Sequence, residues 1–240
     1  MTFKSAWILG STSTTAQAII RELARQGCLR FHLLARDTER NQAFSEELST
    51  QNALIKITTE HVDLENISST PIDPPSSFDL YLITAGCMGN ADLARVNSTQ
   101  AQLITQVNYT GLIPWLTAIV SEERIRQPGA LWIFSSVAAD RGRPSNYHYG
   151  AAKAGLTRFC EGLLLRCQGH PFSIRILKAG FITSPMTDGK APPLLCTAPE
   201  KIAKSLFRNP QRRGIEYIPW WWDPVMKLIR RLPAPLASKL

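Results

Sequence analysis

Strand-like runs and helix-like stretches take turns along this chain from residue 6 to about residue 218, and few architectures accept such a pattern. Ala6-Trp-Ile-Leu9, Phe31-His-Leu-Leu-Ala35, Leu80-Tyr-Leu-Ile-Thr84 and Ala130-Leu-Trp-Ile-Phe134 are short apolar runs of the kind that parallel strands covered on both faces require. Ile55–Val62 and Ser173–Lys178 alternate, and Glu216-Tyr-Ile218 is a last short strand. The stretches between them carry helical periodicity, including a long one over about 97–123. The expectation is an α/β fold, a doubly wound parallel sheet of about seven strands with helices on both faces. One domain over 1–222 would hold it, leaving 223–240 as a basic amphipathic segment. The net charge of +8 is uneven: from Lys204 onward the balance is +6, so the body is near neutral, which argues against a general nucleic-acid binder. The cysteines (28, 87, 160, 167 and 196) show no metal-ligand spacing and read as reduced thiols of a cytoplasmic protein. The first residues lack a signal-peptide pattern, and no run approaches the ~20 apolar residues of a membrane span.

Several segments carry chemistry. Gly10-Ser11-Thr12-Ser13-Thr14 joins the first strand to an amphipathic helix, with Ala16 in its first turn. A helix N-terminus there would receive an anion such as pyrophosphate. Only Gly10 is a glycine, so a Ser/Thr-rich connection with no ligand is an equal reading. Arg36 closes the second strand, where an arginine suits the 2′-phosphate of NADP(H) and an acid suits the 2′-OH of NAD(H). Asp37 follows directly and keeps NAD(H) open; Arg40 either assists or faces solvent. The third strand delivers Asp63 and Leu64, and the fourth stops at Ala85-Gly86, where bare backbone can lie against a ribose. Asn108 sits inside the long helical stretch, where a polar side chain caps or bends a helix. Tyr149 and Lys153, four residues apart, share a helix face, and an ammonium beside a phenol lowers its pKa from about 10.

In joint order and spacing over about residues 6–187, these segments resemble the short-chain dehydrogenase/reductase family. The YxxxK pattern is Tyr149 and Lys153, with the serine thirteen residues earlier at Ser136. The helical asparagine is Asn108, followed by Gly111. The adenine-contacting acid is Asp63, the NAG-like turn is Thr84-Ala85-Gly86, and the PGxxxT loop is Ala179-Gly-Phe-Ile182-Thr183. The resemblance implies hydride transfer between a nicotinamide cofactor and a carbonyl carbon, without metal. Ser136 and Tyr149 would hydrogen-bond the oxygen and Tyr149 would supply the proton. Lys153 would hold the nicotinamide ribose, Asn108 a water, and Ile182 with Thr183 the carboxamide. The turn departs from TGxxxGxG and resembles the GATSxIA version of a branch that includes decaprenylphosphoryl-2-keto-ribose 2-reductases, with Thr15 replacing an apolar residue.

The resemblance implies a small or lipid-linked carbonyl substrate and a homodimer or homotetramer. A 3-oxoacyl-thioester reductase and a non-catalytic dinucleotide-sensing scaffold are the alternatives. The segments about 140–147 and 184–198, which would face substrate, show no charge clamp. Tyr147 lies six residues from Lys153 and points elsewhere on the helix; His148 fills no role. In the tail, Val225, Leu228, Ile229 and Leu232 form one expected apolar face with Lys227, Arg230 and Arg231 around it. With Trp220–Trp222 this suits either packing on protein or weak attachment of residues 220–240 to an anionic membrane surface.

Overall fold

The computed structural model describes residues 3–66, 77–185, 187 and 191–239. Seven strands form one sheet: β1 (Ser5–Leu9), β2 (Arg30–Ala35), β3 (Lys56–His61), β4 (Leu80–Ile83), β5 (Gly129–Ser136), β6 (Phe172–Ala179) and β7 (Gly214–Ile218). Every pairing is parallel and the order is β3-β2-β1-β4-β5-β6-β7. The helices are α1 (Thr14–Arg25), α2 (Thr38–Gln51), α3 (Ala91–Ala94), α4 (Ser98–Asn108), α5 (Ile113–Ile119), α6 (Glu122–Ile125), α7 (Tyr147–Arg166), α8 (Pro199–Leu206), α9 (Trp222–Arg231) and α10 (Ala234–Ala237). This is the expected Rossmann-type architecture.

Period-two alternation divides the inner strands between two cores, whereas β3 at the sheet edge is largely exposed. Ala6 and Ile8 of β1 join Ile19, Leu23, Phe44 and Leu206 under α1, α2 and α8. Trp7 and Leu9 face the other way, onto Trp115, Leu116 and Leu156 under α5 and α7. Burial on both sides is why β1 and β4 are apolar almost throughout. No helix among the described residues is long and apolar enough to cross a membrane.

Three segments differ from the sequence expectation, each for a tertiary reason. The helix expected over 97–123 is broken: α4 ends at Asn108, a 3-10 turn spans Thr110–Leu112, and α5 starts with Pro114 in its first turn. The Asn108 amide donates to the Ile104 carbonyl at 2.8 Å and to the Cys87 carbonyl at 2.6 Å, pinning the helix end to the loop after β4. Strand β6 does not alternate between core and solvent; it is buried throughout. Arg175, 1% exposed, pairs with Glu216 at 2.8 Å, and Lys178 pairs with Asp140 at 2.5 Å. In the tail, the inward face of α9 is Trp222, Val225, Met226 and Ile229, and Leu228 points outward.

Helix α9 is seated firmly. The Trp222 indole packs against Gly180, where an added Cβ would stand 1.7 Å from Trp222 Nε1. Phe181 meets the same ring edge-on, with centroids 5.6 Å apart. Arg141 donates to the carbonyls of Ile229 and Arg230 in the last turn of α9, that of Ile229 also accepting from the Leu232 N–H.

Candidate active site

The sheet order reverses between β1 and β4, and the carboxyl ends of the strands open there onto a cleft of about 450 Å³. Its floor is the turn after β1. Gly10 has φ +92°, and a Cβ on it would stand 2.5 Å from the Ala85 nitrogen, so only glycine lets the two loops meet. Ser13 caps α1 by accepting from the Ala16 N–H at 3.3 Å. The N-terminus of this twelve-residue helix lies at the cleft, which Thr12, Ser13 and Thr14 line. Ser11 does not line it. Its hydroxyl is buried, 3.1 Å from the Leu34 carbonyl and 2.7 Å from Asn41 Oδ1, and ties the turn to α2.

At one end of the cleft lie Arg36, Arg40, Asp63 and Leu64. Arg36 pairs with Glu65, a partner the sequence reading did not name. Arg40 donates to the Thr12 carbonyl at 3.2 Å, which places a second guanidinium beside the turn. The Asp37 carboxylate is engaged as the cap of α2, accepting from the Arg40 N–H at 3.0 Å. Both Asp63 oxygens hold the following loop, through the Glu65 N–H at 3.0 Å and the Asn66 amide at 2.9 Å.

At the other end, Ala85, Gly86, Ser136, Tyr149, Lys153 and Ile182 converge. Ser135 fastens α7 to β5 through Thr157, 2.6 Å away, and so sets the height of Tyr149 and Lys153 above the strand ends. Ser136 hydrogen-bonds Tyr149, and its oxygen accepts from the Ala138 N–H at 3.1 Å. Tyr147 is exposed and packs on His148, outside the cleft. Asn108 is fully buried and does not line the cleft. Its oxygen accepts from the Cys87 N–H at 3.2 Å, and it lies beside Gly86 and Lys153.

The electrostatics differ from the expected ammonium-lowered phenol. Burial pushes the Tyr149 pKa up; the Ser136 hydrogen bond and then the charge of Arg143 act against it. Lys153 donates to the Phe134 carbonyl at 3.2 Å, and burial pulls its pKa down to about 8 from 10.5. The phenol is thus protonated at neutrality, the state a proton donor needs. For Lys153 the linkage has a definite sign. Between pH 8 and 10.5 the unfolded chain holds a proton that the folded chain has lost, so stability from this group rises with pH through that window. Urea unfolding is expected to show the stability difference between Lys153→Met and the wild type moving in the wild type's favour over that interval. A pH-independent difference would contradict the buried-amine account.

Two loops correct the sequence reading. Thr183 is exposed and lies off the cleft, whereas Ser184 and Thr187 line it. Three residues between glycine and hydroxyl, as PGxxxT demands, place the hydroxyl at Ser184 rather than Thr183. The segment 140–147 also contains a charge on the cleft after all: Arg143 lines it next to Tyr149.

A model of the short chain dehydrogenase family matches residues 4–193, most of the chain. The chain belongs to that family. An uncharacterized oxidoreductase of Mycobacterium tuberculosis is 34% identical over 155 residues. That match covers 63% of this chain and 61% of the relative, so the chain matches less than two thirds of the relative's length. An uncharacterized oxidoreductase of Streptomyces coelicolor is 28% identical over 242 residues, covering 99% of this chain and 96% of the relative. The fold is shared with a short-chain dehydrogenase from Sphingobium yanoikuyae solved in complex with NADPH. Its TM-score is 0.78 at 17% identity, with 96% of each chain covered.

Proposed function

We propose that this short-chain dehydrogenase is an NADP(H)-dependent oxidoreductase interconverting a ketone and a secondary alcohol. The observation that carries the reading is a single cleft with Ser136, Tyr149 and Lys153 at one end and two guanidinium groups at the other. The N-terminus of α1 lies between them. These residues fit a dinucleotide: the α1 N–H groups suit its pyrophosphate, and the Gly10 turn leaves room for close backbone approach. Arg36 and Arg40 suit a 2′-phosphate, while one oxygen of Asp37 is taken up in capping α2. That the Sphingobium enzyme was solved with NADPH supports the same cofactor.

The cofactor supplies hydride for the carbonyl carbon. Ser136 and Tyr149 donate hydrogen bonds to the carbonyl oxygen as negative charge grows there, and Tyr149 transfers its proton to that oxygen. Lys153 brings positive charge to the ribose side of the site. Asn108 positions rather than reacts, holding the Cys87 backbone so that Gly86 stays against Lys153. The substrate is a small or lipid-linked carbonyl compound.

Coenzyme choice tests this assignment. Replacing Arg36 and Arg40 together by Ala is expected to raise the KM for NADPH by roughly 10- to 100-fold, from the loss of charge-assisted hydrogen bonds, and to leave that for NADH within a few-fold. Equal losses for both coenzymes would refute the phosphate role. Coenzyme binding without turnover of any member of a ketone and alcohol panel would favour a dinucleotide-sensing scaffold instead.

The chain's surface supports two further parts of the reading: self-association, and weak contact of residues 220–240 with an anionic membrane face in the cytoplasm. Trp220, Leu228 and Leu236 are exposed beside Arg230 and Arg231. Sedimentation at low salt, with and without anionic vesicles, is expected to give a dimer or tetramer that partly pellets with the vesicles and is released by salt. A monomer in the supernatant under both conditions would overturn both.

A further inference from the structure

Arg143 has no part in the roles described above, and its setting is unusual for an arginine. It lies in the loop between Ser136 and Tyr149, and its side chain lines the cleft at the Tyr149 end. Its Nε is buried without a hydrogen-bond partner, and among the described residues no ion pair involves it. Every other cation of the cleft is engaged: Arg36 with Glu65, Arg40 with Thr12 and Lys153 with Phe134. A half-buried guanidinium whose Nε–H has no partner is costly, and burial already lowers the Arg143 pKa. The acids lining the cleft, Asp37, Asp63 and Glu65, all belong to the opposite end. Around Tyr149 the described lining residues offer two cations and no carboxylate. A fork of N–H donors in such a place matches a carboxylate or phosphate oxygen pair.

We propose that Arg143 is the substrate-recognition residue of this enzyme and that the substrate carries an anionic group, carboxylate or phosphate, close to its reacting carbonyl. The anion completes the hydrogen bonding of the guanidinium and, held by that fork, fixes the carbonyl over Ser136 and Tyr149. This rests on the oxidoreductase reading above, and deepens it by naming the substrate class.

The test uses paired ketones that differ in charge: levulinate against its methyl ester, and dihydroxyacetone phosphate against dihydroxyacetone. NADPH-dependent reduction is measured for the wild type, Arg143→Gln and Arg143→Lys. In parallel, binding of each compound to the NADP-saturated proteins is followed by calorimetry. The wild type is expected to favour the anionic member of at least one pair by about 10- to 100-fold in kcat/KM and in affinity. Which pair shows it distinguishes carboxylate from phosphate. Arg143→Gln removes the preference, Arg143→Lys restores part of it, and the KM for NADPH is unchanged in both. Anion-selective binding without turnover would support the recognition role and refute the oxidoreductase reading. The proposal is overturned by three results: no charge preference in the wild type, equal losses on both members of each pair, or a shifted pH profile with unchanged selectivity. The last would mean that Arg143 acts only through the Tyr149 phenol.

Discussion

Tyr149→Phe is expected to lower kcat for ketone reduction by about 10²- to 10⁴-fold while leaving NADPH affinity unchanged. The substitution keeps the ring and removes only the hydroxyl that Ser136 holds. In the proposed mechanism what is lost is the proton donor and one hydrogen bond to the developing alkoxide, both of which matter in the transition state rather than in coenzyme binding. Tyr147→Phe, on the exposed side of the same helix turn, should leave the rate unaltered. Because burial raises the Tyr149 pKa, reduction should hold steady across neutral pH, whereas oxidation, which needs the phenolate, should climb as pH rises. Steady-state rates with NADPH and a ketone, and with NADP and the alcohol, measure both. Near-normal turnover in Tyr149→Phe would refute the proton-transfer role.

The largest effect on stability is expected at Asp140, which has no part in the chemistry. Its carboxylate, 2% exposed, accepts from Lys178 at 2.5 Å and from the Tyr217 hydroxyl at 2.6 Å. Tyr217 has its pKa raised by burial and by this carboxylate, so it remains a donor. Alanine at position 140 strands the Lys178 ammonium in the interior, which costs about 3–5 kcal/mol. For a chain of this length that corresponds to a fall in melting temperature of roughly 6–20 °C. Replacing Asp140 by Leu and Lys178 by Met together removes both charges and should cost clearly less than the single change. Thermal and urea unfolding of the two variants check it. If single and double variants unfold alike, the ion pair is not what holds the substrate-side loop to β6.

Most of the sheet was legible because strands buried on two faces leave little choice of residue, as Trp7-Ile8-Leu9 and Leu131-Trp132-Ile133 illustrate. The juxtaposition of Tyr149 and Lys153 was legible for a similar reason, helical periodicity being local. What escaped depended on partners distant in sequence. The burial of Arg175 and Lys178 was not legible because Glu216 and Asp140, 41 and 38 residues away, supply the charges that let them be buried. The break after Asn108 came from its grip on Cys87, 21 residues back. Ser11 was expected at the ligand, but one hydroxyl in a tight turn has two directions to point, and Asn41 of α2 decides between them. Arg143 was passed over because a lone basic residue in a polar loop has no periodicity; only the folded cleft gives it neighbours.

The seat of Trp222 on Gly180 has a further consequence. The polypeptide wall that carries Ile182 and Ser184 into the cleft has no bulk of its own at Gly180, and its backing is borrowed from the far end of the chain. Helix α9 therefore serves as a buttress: anything that grips or removes it also relaxes the masonry around that end of the cleft. Shortening the protein from its carboxyl end past Trp222 would thus be felt first as sloppiness in how substrate and nicotinamide are presented to each other, before the sheet itself came apart.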